Sequence, residues 1–289
     1  MADWNDIPDT AIDGDSAAIQ NIFFWLRDNL IAALEGSASA DRLKNAALEL
    51  FQPNVYTDFG DGSDGALTVS TNSNIVPGVH QYTSFTLNSG ITLTKDTAYC
   101  GPLIIKCTGT VTINGTIRAE NTHTSSADTG GGGGYGTEGD GDSENGVSSA
   151  YGPGGTSGSK NGQSLLGSQM QASIMTGNLS LGGGRGGNGG NGGGAGGNGG
   201  GVVVIVAKSI VFDASGLIDA AGDGGGNGSP SDGSGGGGGG GSVVLMHEDS
   251  ITGLDSDSTD ISGGSGGSYA ANIGGDGGDG AVLSLNIKQ

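Results

Sequence analysis

The spacing of apolar residues along this chain changes twice, and each spacing predicts a different kind of element. In the first region Ile19, Ile22, Phe23, Leu26, Leu30 and Leu34 recur every three or four residues, which places them on one face of a helix. Asp15 or Ser16 can cap that helix and Gly36 can end it. A second short amphipathic helix, starting near Ser39 or Asp41, carries Leu43, Ala47, Leu50 and Phe51 and stops before Pro53. In the second region Ala66–Ser70, Tyr82–Leu87 and Ile91–Thr94 alternate apolar with polar, as half-buried strands do. The third spacing is an unbroken apolar run, Val202–Ala207, which reads as a strand in a sheet buried on both faces.

The apolar runs belong to an internal repeat. Pro102–Val111 aligns without a gap on Gly201–Ile210 and on Ser242–Ile251. The unit continues as Val111–Ala119 against Ile210–Ala220 with one inserted residue, and Asp219-Ala-Ala-Gly222 echoes Asp260-Ile-Ser-Gly263. Ala281–Ile287 reads as a last half unit. Each copy is expected to be strand, tight turn, strand and glycine-rich excursion, and neighbouring copies must stack or pair to cover their apolar faces. The excursions should all leave from the same end.

Gly182–Gly201 is glycine except at Arg185, Asn188, Asn191, Ala195 and Asn198. These fall three apart, with a one-residue slip before Ala195, and three residues per turn is the period of a polyproline II type helix. Such a helix has no internal hydrogen bonds, so its amides and carbonyls must bond sideways to neighbours. Further glycine clusters at 130–134, 222–228, 235–241 and 274–280 supply those neighbours, which favours a packed bundle over a flexible linker. In such a bundle Gly189, Gly192 and Gly196 should have no room for a side chain.

The expected architecture is mainly β. Short N-terminal helices are followed by a repeat-built body, sandwich-like or solenoid-like, whose glycine-rich excursions pack as polyglycine II helices. Three regions follow: 1–55 as a helical attachment or oligomerisation segment, 56–128 as a β domain, and 129–289 as a glycine-rich β region with display loops. Of the 65 glycines, 10 precede residue 129, so the boundary is also one of composition. Two short helices with apolar residues to spare either pack on their own body or form a collar. In the collar reading Trp4, Ile19, Ile22, Phe23, Leu26 and Leu30 mediate attachment or self-association, with a trimer among the candidates.

A formal charge of -20 with 10 basic residues opposes nucleic acid as a partner. No segment approaches the roughly 20 apolar residues of a membrane span, and the acidic start is unlike a signal peptide. Cys100 and Cys107 are too few for a disulfide framework and read as strand residues. No catalytic constellation stands out, so no enzyme activity, cofactor or metal is expected. His80, His123 and His247 fall in unrelated segments, with His247 in the repeat slot of Val206. Asp58, Asp61 and Asp64 are three apart rather than two and read as a solvated turn rather than a calcium loop. Gly274–Asp279 fits only a single copy of a calcium-binding nonapeptide, which needs tandem copies.

The first excursion, from about Thr122 to Gly201, carries Tyr135, Tyr151, Lys160, Leu165, Met170 and Met175 between its glycine clusters; the later ones carry Pro230 with Asp232, and Tyr269 with Asn272 and Ile273. Stiff rods holding short, varied tips suit display. Tyr135, Tyr151, Lys160, Met170, Met175 and Tyr269 are the candidate contact residues, since tyrosine offers large area at low entropy cost.

Trp4-Asn-Asp-Ile-Pro-Asp9, Ile12-Asp-Gly-Asp-Ser16 and Leu26-Arg-Asp-Asn29 through Glu35-Gly36 resemble the N-terminal attachment segment of many tailed-phage structural and fibre proteins. Asp61-Gly-Ser-Asp-Gly-Ala66, Tyr82-Thr-Ser-Phe-Thr-Leu-Asn-Ser-Gly90 and Gly109-Thr-Val-Thr-Ile-Asn-Gly-Thr-Ile117, with the polyglycine that follows, resemble glycine-rich phage tail-fibre and tip-adhesin proteins. The resemblance implies a packed layer of polyglycine II helices whose intervening segments contact a host receptor. It also implies a virion location reached by lysis, other virion proteins as partners of the N-terminus, and a host surface protein or glycan as the target. This chain departs from the tip adhesins in carrying its own attachment helices. A structural virion protein such as a head fibre or decoration subunit is the alternative, and an ice-binding protein or a polysaccharide depolymerase are further classes.

Overall fold

The computed structural model describes residues 58–98, 101–121, 183–190, 193–229, 232–269 and 272–287. The segment expected to form N-terminal helices, with Trp4, Ile19, Ile22, Phe23, Leu26 and Leu30, lies outside these residues. Among the described residues the protein is mainly β, and its large sheets are parallel.

One sheet has the order β1 (Ala66–Val69), β4 (Ser84–Leu87), β6 (Leu103–Ile113), β10 (Val202–Phe212), β12 (Ser242–Thr252), β16 (Ala281–Asn286), with β3 (Gly78–Tyr82) also paired to β6. The second sheet has the order β13 (Thr259–Asp260), β11 (Leu217–Asp219), β7 (Thr116–Arg118), β5 (Thr92–Lys95), β2 (Ser73–Ile75). Each repeat therefore gives one strand to each sheet, and the next repeat adds its strands alongside in parallel. Inward residues of both sheets, among them Phe85, Ile113, Ile205, Ile210 and Leu245 from the first and Leu93, Ile117 and Ile218 from the second, form one core. The opposite face of the first sheet is buried as well, at Val204, Val206, Val244 and Met246, as an unbroken apolar run requires.

The ladders correct the repeat alignment. Ile210 pairs with Val111 and Ile251 as the gapless alignment expects, but Val203 pairs with Leu103 and Val202 with Ser242, one residue out of step. The slip falls at an irregularity between Ala207 and Ser209, where both neighbours of β10 carry one more residue. His247 accordingly stands opposite Ala207, not Val206. At the turn, Ile113 pairs with Phe212 while Thr116 pairs with Leu217, so the insertion is two residues long rather than one. Gly253 closes the equivalent turn of the next repeat at φ +71, where a Cβ would sit 2.0 Å from the Phe212 carbonyl oxygen.

Aspartates hold the exposed turns. Asp58 accepts from the Gly60 amide (2.8 Å) and from Lys106 Nζ (3.0 Å), Asp61 from the Ser63 amide (2.8 Å), and Asp64 from the Gln81 amide (2.7 Å). Asp255 accepts from the Ser258 hydroxyl (2.7 Å) and the Asp257 amide (3.0 Å).

The glycine-rich chain forms six extended rods: I (183–190), II (193–201), III (220–228), IV (233–241), V (261–267) and VI (274–280). None of their glycines has positive φ. The bonds between rods step by three residues. Gly194, Gly197 and Gly200 donate to the carbonyls of Gly233, Gly236 and Gly239, and the amides of these three donate to the carbonyls of Gly190, Gly187 and Gly184. Gly235, Gly238 and Gly241 donate to Gly226, Asp223 and Ala220, while Gly237 and Gly240 donate to Gly275 and Gly278. Rod IV is thus the hub, bonded to all five other rods, and each of its residues is buried. The one-residue slip before Ala195 is a hairpin. Rods I and II run antiparallel, with Gly183, Gly186 and Gly189 donating to Gly200, Gly197 and Gly194.

Non-glycine side chains serve the periphery. Asp279 and Asp276 accept from the amides of Gly263 and Gly266, Asn188 from that of Gly196, and Asn227 from that of Ser268. These carboxylates and amides replace a missing neighbouring rod.

Two outcomes are expected. A Cβ on Gly196 would lie 1.8 Å from the Gly186 carbonyl oxygen and one on Gly189 2.1 Å from that of Gly233, whereas on Gly224 the nearest atom is 3.5 Å away. Gly192 lies outside the described residues. Gly196→Ala should therefore cost at least ~1 to 3 kcal/mol by overpacking, and Gly224→Ala should be neutral or slightly stabilising, as read by thermal melting. The second outcome concerns acid. Hydrogen bonds from Lys106, from Ser63 and from Ser258 hold Asp58, Asp61 and Asp255 below the usual carboxylate range. A lowered folded pKa means that the unfolded chain takes up protons first, so this stabilisation is full above about pH 4 and is lost as pH falls further. Asp255→Asn should shrink the fall in Tm between about pH 5 and about pH 3 relative to wild type.

Candidate functional site

The rods share two ends. At the sheet end, Gly201 donates to Ala119, Gly241 to Ala220 and Gly280 to Ile261, closing the base of each excursion against the sheets. Rods I, III and V run away from this base and II, IV and VI return to it, so all three excursions leave from one end, as the repeat predicts.

At the far end the hairpin tip of III and IV is bonded to each of the other two tips. Gly233 at the tip of III and IV donates to Gly190 at the tip of I and II (3.1 Å). Ser268 at the tip of V and VI donates to Asn227 Oδ1 on rod III (2.9 Å). The tip of III and IV is tied by the Asp232 amide to the Ser229 carbonyl (3.1 Å) and by the Ser229 hydroxyl to the Asp232 carboxylate. Rods V and VI end in a two-strand ribbon, β14 (Ser268–Tyr269) and β15 (Asn272–Ile273), in which Tyr269 pairs with Asn272. Tyr269 is 39% exposed and Ile273 53%, an aromatic and an aliphatic side chain offered to solvent from a braced ribbon.

Of the residues the sequence nominates as contacts, Tyr269 is at this tip; Tyr135, Tyr151, Lys160, Met170 and Met175 lie outside the described residues. Ile273 was legible only as a companion of Tyr269, because nothing in a two-residue strand announces that its aliphatic side chain faces outward.

Elsewhere several polar and titratable groups are spent on structure, while the buried His247 Nδ1 has no hydrogen-bond partner among the described residues. His80 Nε2 lies 2.8 Å from the Val76 carbonyl oxygen, and the ring stacks on Tyr82 at 6.0 Å. Cys107 is a free thiol buried in β6, and burial pushes its pKa up, which keeps it protonated and inert. Arg118 bonds Asp219 (3.0 Å), and that hydrogen bond holds its pKa up. Asp276 and Asp279 of the nonapeptide-like stretch hold rod V amides. Among the described residues no group of three or more His, Cys, Asp or Glu could hold a metal ion, and no helix is long and apolar enough to cross a membrane.

No family of known proteins matches the chain, and neither a curated protein nor a solved structure is found to match it.

Proposed function

We propose that this protein is a phage virion fibre or adhesin that binds a host-cell surface receptor through the tips of its glycine hairpins. The observation that carries the reading is the shared far end of the bundle, where the tip of III and IV is bonded to the other two and the tip of V and VI presents Tyr269 and Ile273 on rods anchored in a two-sheet core. In this reading the strand pairs stack as a solenoid and the rods are polyglycine II helices, stiff because their backbones bond sideways. The N-terminal 1–55 segment attaches to other virion proteins or to copies of itself, and the protein reaches the outside of the host by lysis.

The chemistry of the tip fits a target bound by aromatic, aliphatic and neutral polar contacts. With a formal charge of -20 the protein's field repels an anionic surface unless cations bridge it. No catalytic role is assigned.

The test uses the purified full chain, fluorescently labelled, on a panel of bacterial strains at low and moderate salt. Wild type should bind at least one strain, and Tyr269→Ala combined with Ile273→Ser should bind it roughly tenfold more weakly or worse while melting like wild type. Undiminished binding by the folded double variant removes this tip from the contact surface. A wild-type protein that binds none of the strains and still assembles into particles would favour a structural virion subunit instead.

A further inference from the structure

The order of the first sheet ends at β16, which pairs with β12 and with no other strand among the described residues. In a parallel pair every second residue bonds a given neighbour. Ala281 and Ile287 donate to the carbonyls of Gly241 and His247, so Ala281, Leu283, Leu285 and Ile287 turn their backbones toward β12. Val282 and Ser284 turn theirs outward, to a side on which no described strand lies.

Sheet edges are normally blunted by a charge, a proline or a bulge, because an open row of amides and carbonyls is a template for another strand. Elsewhere in this molecule carboxylates do this. Asp64 accepts from the Gln81 amide beside β3 (2.7 Å), Asp279 and Asp276 accept from the rod V amides of Gly263 and Gly266, and β13 carries the exposed Asp260. The β16 edge has no such guard. Ala281–Asn286 contains neither a charge nor a proline, its register with β12 is unbroken, and Ser284 is exposed.

The surroundings of this edge say what fits it. Pairing between β12 and β16 ends at His247 and Asn286, so Glu248–Thr252 of β12 faces the same side, as does β13, which ends the order of the second sheet. Ile251, Leu254, Ile261 and Val282 are only half-buried against the core at this end. Carboxylates rim them, since Asp249, Asp255, Asp257 and Asp260 are all exposed. No lysine or arginine occurs between Lys208 and Lys288, against eleven aspartates and glutamates, so this side repels a second copy of itself and attracts a basic segment.

We propose that the outer edge of β16 is a docking site for an extended segment of another protein, apolar at alternate positions and flanked by lysine or arginine, which joins the first sheet as its next strand. The outward amides and carbonyls of Val282 and Ser284 supply its backbone bonds. Leu283 and Leu285, opposite Val244 and Met246, are half-buried and gain apolar cover from every second residue of the incoming strand. The carboxylate rim selects the basic flanks. This surface is a sheet edge and uses neither Tyr269 nor Ile273, so it stands or falls separately from the tip contact.

The test titrates the full chain with a synthetic peptide of alternating valine and threonine carrying lysines at both ends, and with the same peptide carrying glutamates instead. The lysine peptide should bind saturably and slow hydrogen exchange at Val282 and Ser284, and the glutamate peptide should bind at least about tenfold more weakly. Ser284→Pro removes an outward amide while leaving the bonds to β12, as an edge strand tolerates, and should abolish binding while melting like wild type. If it melts lower, Ser284→Lys, which sets a charge on the edge, takes its place and should abolish binding of the lysine peptide. No binding by either peptide overturns the proposal, as does equal binding of both or undiminished binding by the folded variant. Protection of Val282 and Ser284 that exists without peptide and vanishes on dilution assigns the edge to a second copy and overturns it as well.

Discussion

Backbone-to-backbone packing around Gly233–Gly241 is the constraint on which the rest of the bundle depends. Where a Cβ would stand 1.8 Å from the Asn198 carbonyl oxygen at Gly238 and 1.8 Å from that of Gly264 at Gly237, no residue but glycine fits. The same closeness lets every amide from Gly235 to Gly241 find a carbonyl on a neighbouring rod. A buried amide left unbonded costs roughly 1 to 3 kcal/mol, so the contact that forbids side chains is also the one that makes burial tolerable.

Rods of this kind are not stable alone. Ordering one residue costs roughly 1 to 2 kcal/mol and a backbone hydrogen bond returns about 1, so a free glycine rod stays disordered. The two-sheet core provides the missing stabilisation and sets the register. Successive rods enter consecutive strands at Gly201, Gly241 and Gly280, and the parallel ladder Val202 to Ser242 to Ala281 continues the rod ladder without a break. A disturbance in either half should therefore be felt in the other.

The functional reading follows from what this arrangement leaves for side chains to do. Rod interiors are almost bare, with the small Ser234 as the buried side chain of rod IV, and peripheral Asp and Asn side chains are used to cap amides that lack a neighbouring rod. Where rods V and VI turn, Tyr269 and Ile273 are exposed to solvent. Stiff rods hold these groups apart from the core at little entropic cost on binding, which is the advantage of preorganisation.

Sequence alone determined what depends on local spacing. The unbroken Val202–Ala207 run required a strand covered on both faces, the echo of Asp219 in Asp260 marked residues that pair across the second sheet, and the three-residue period in 182–201 required lateral partners for its backbone. Tertiary structure decided what depends on which segments meet. The slip before Ala195 became a hairpin because Gly189 bonds Gly194, and the gapless repeat alignment failed before Ser209 because both neighbouring strands carry an extra residue there. His247 moved to the slot of Ala207 for the same reason. Of the candidate site, Tyr269 was legible as a residue between glycine runs, but its place beside Ile273 and Asn227 was not, because long-range bonds between separate excursions assemble the tip and leave no periodic trace in the chain.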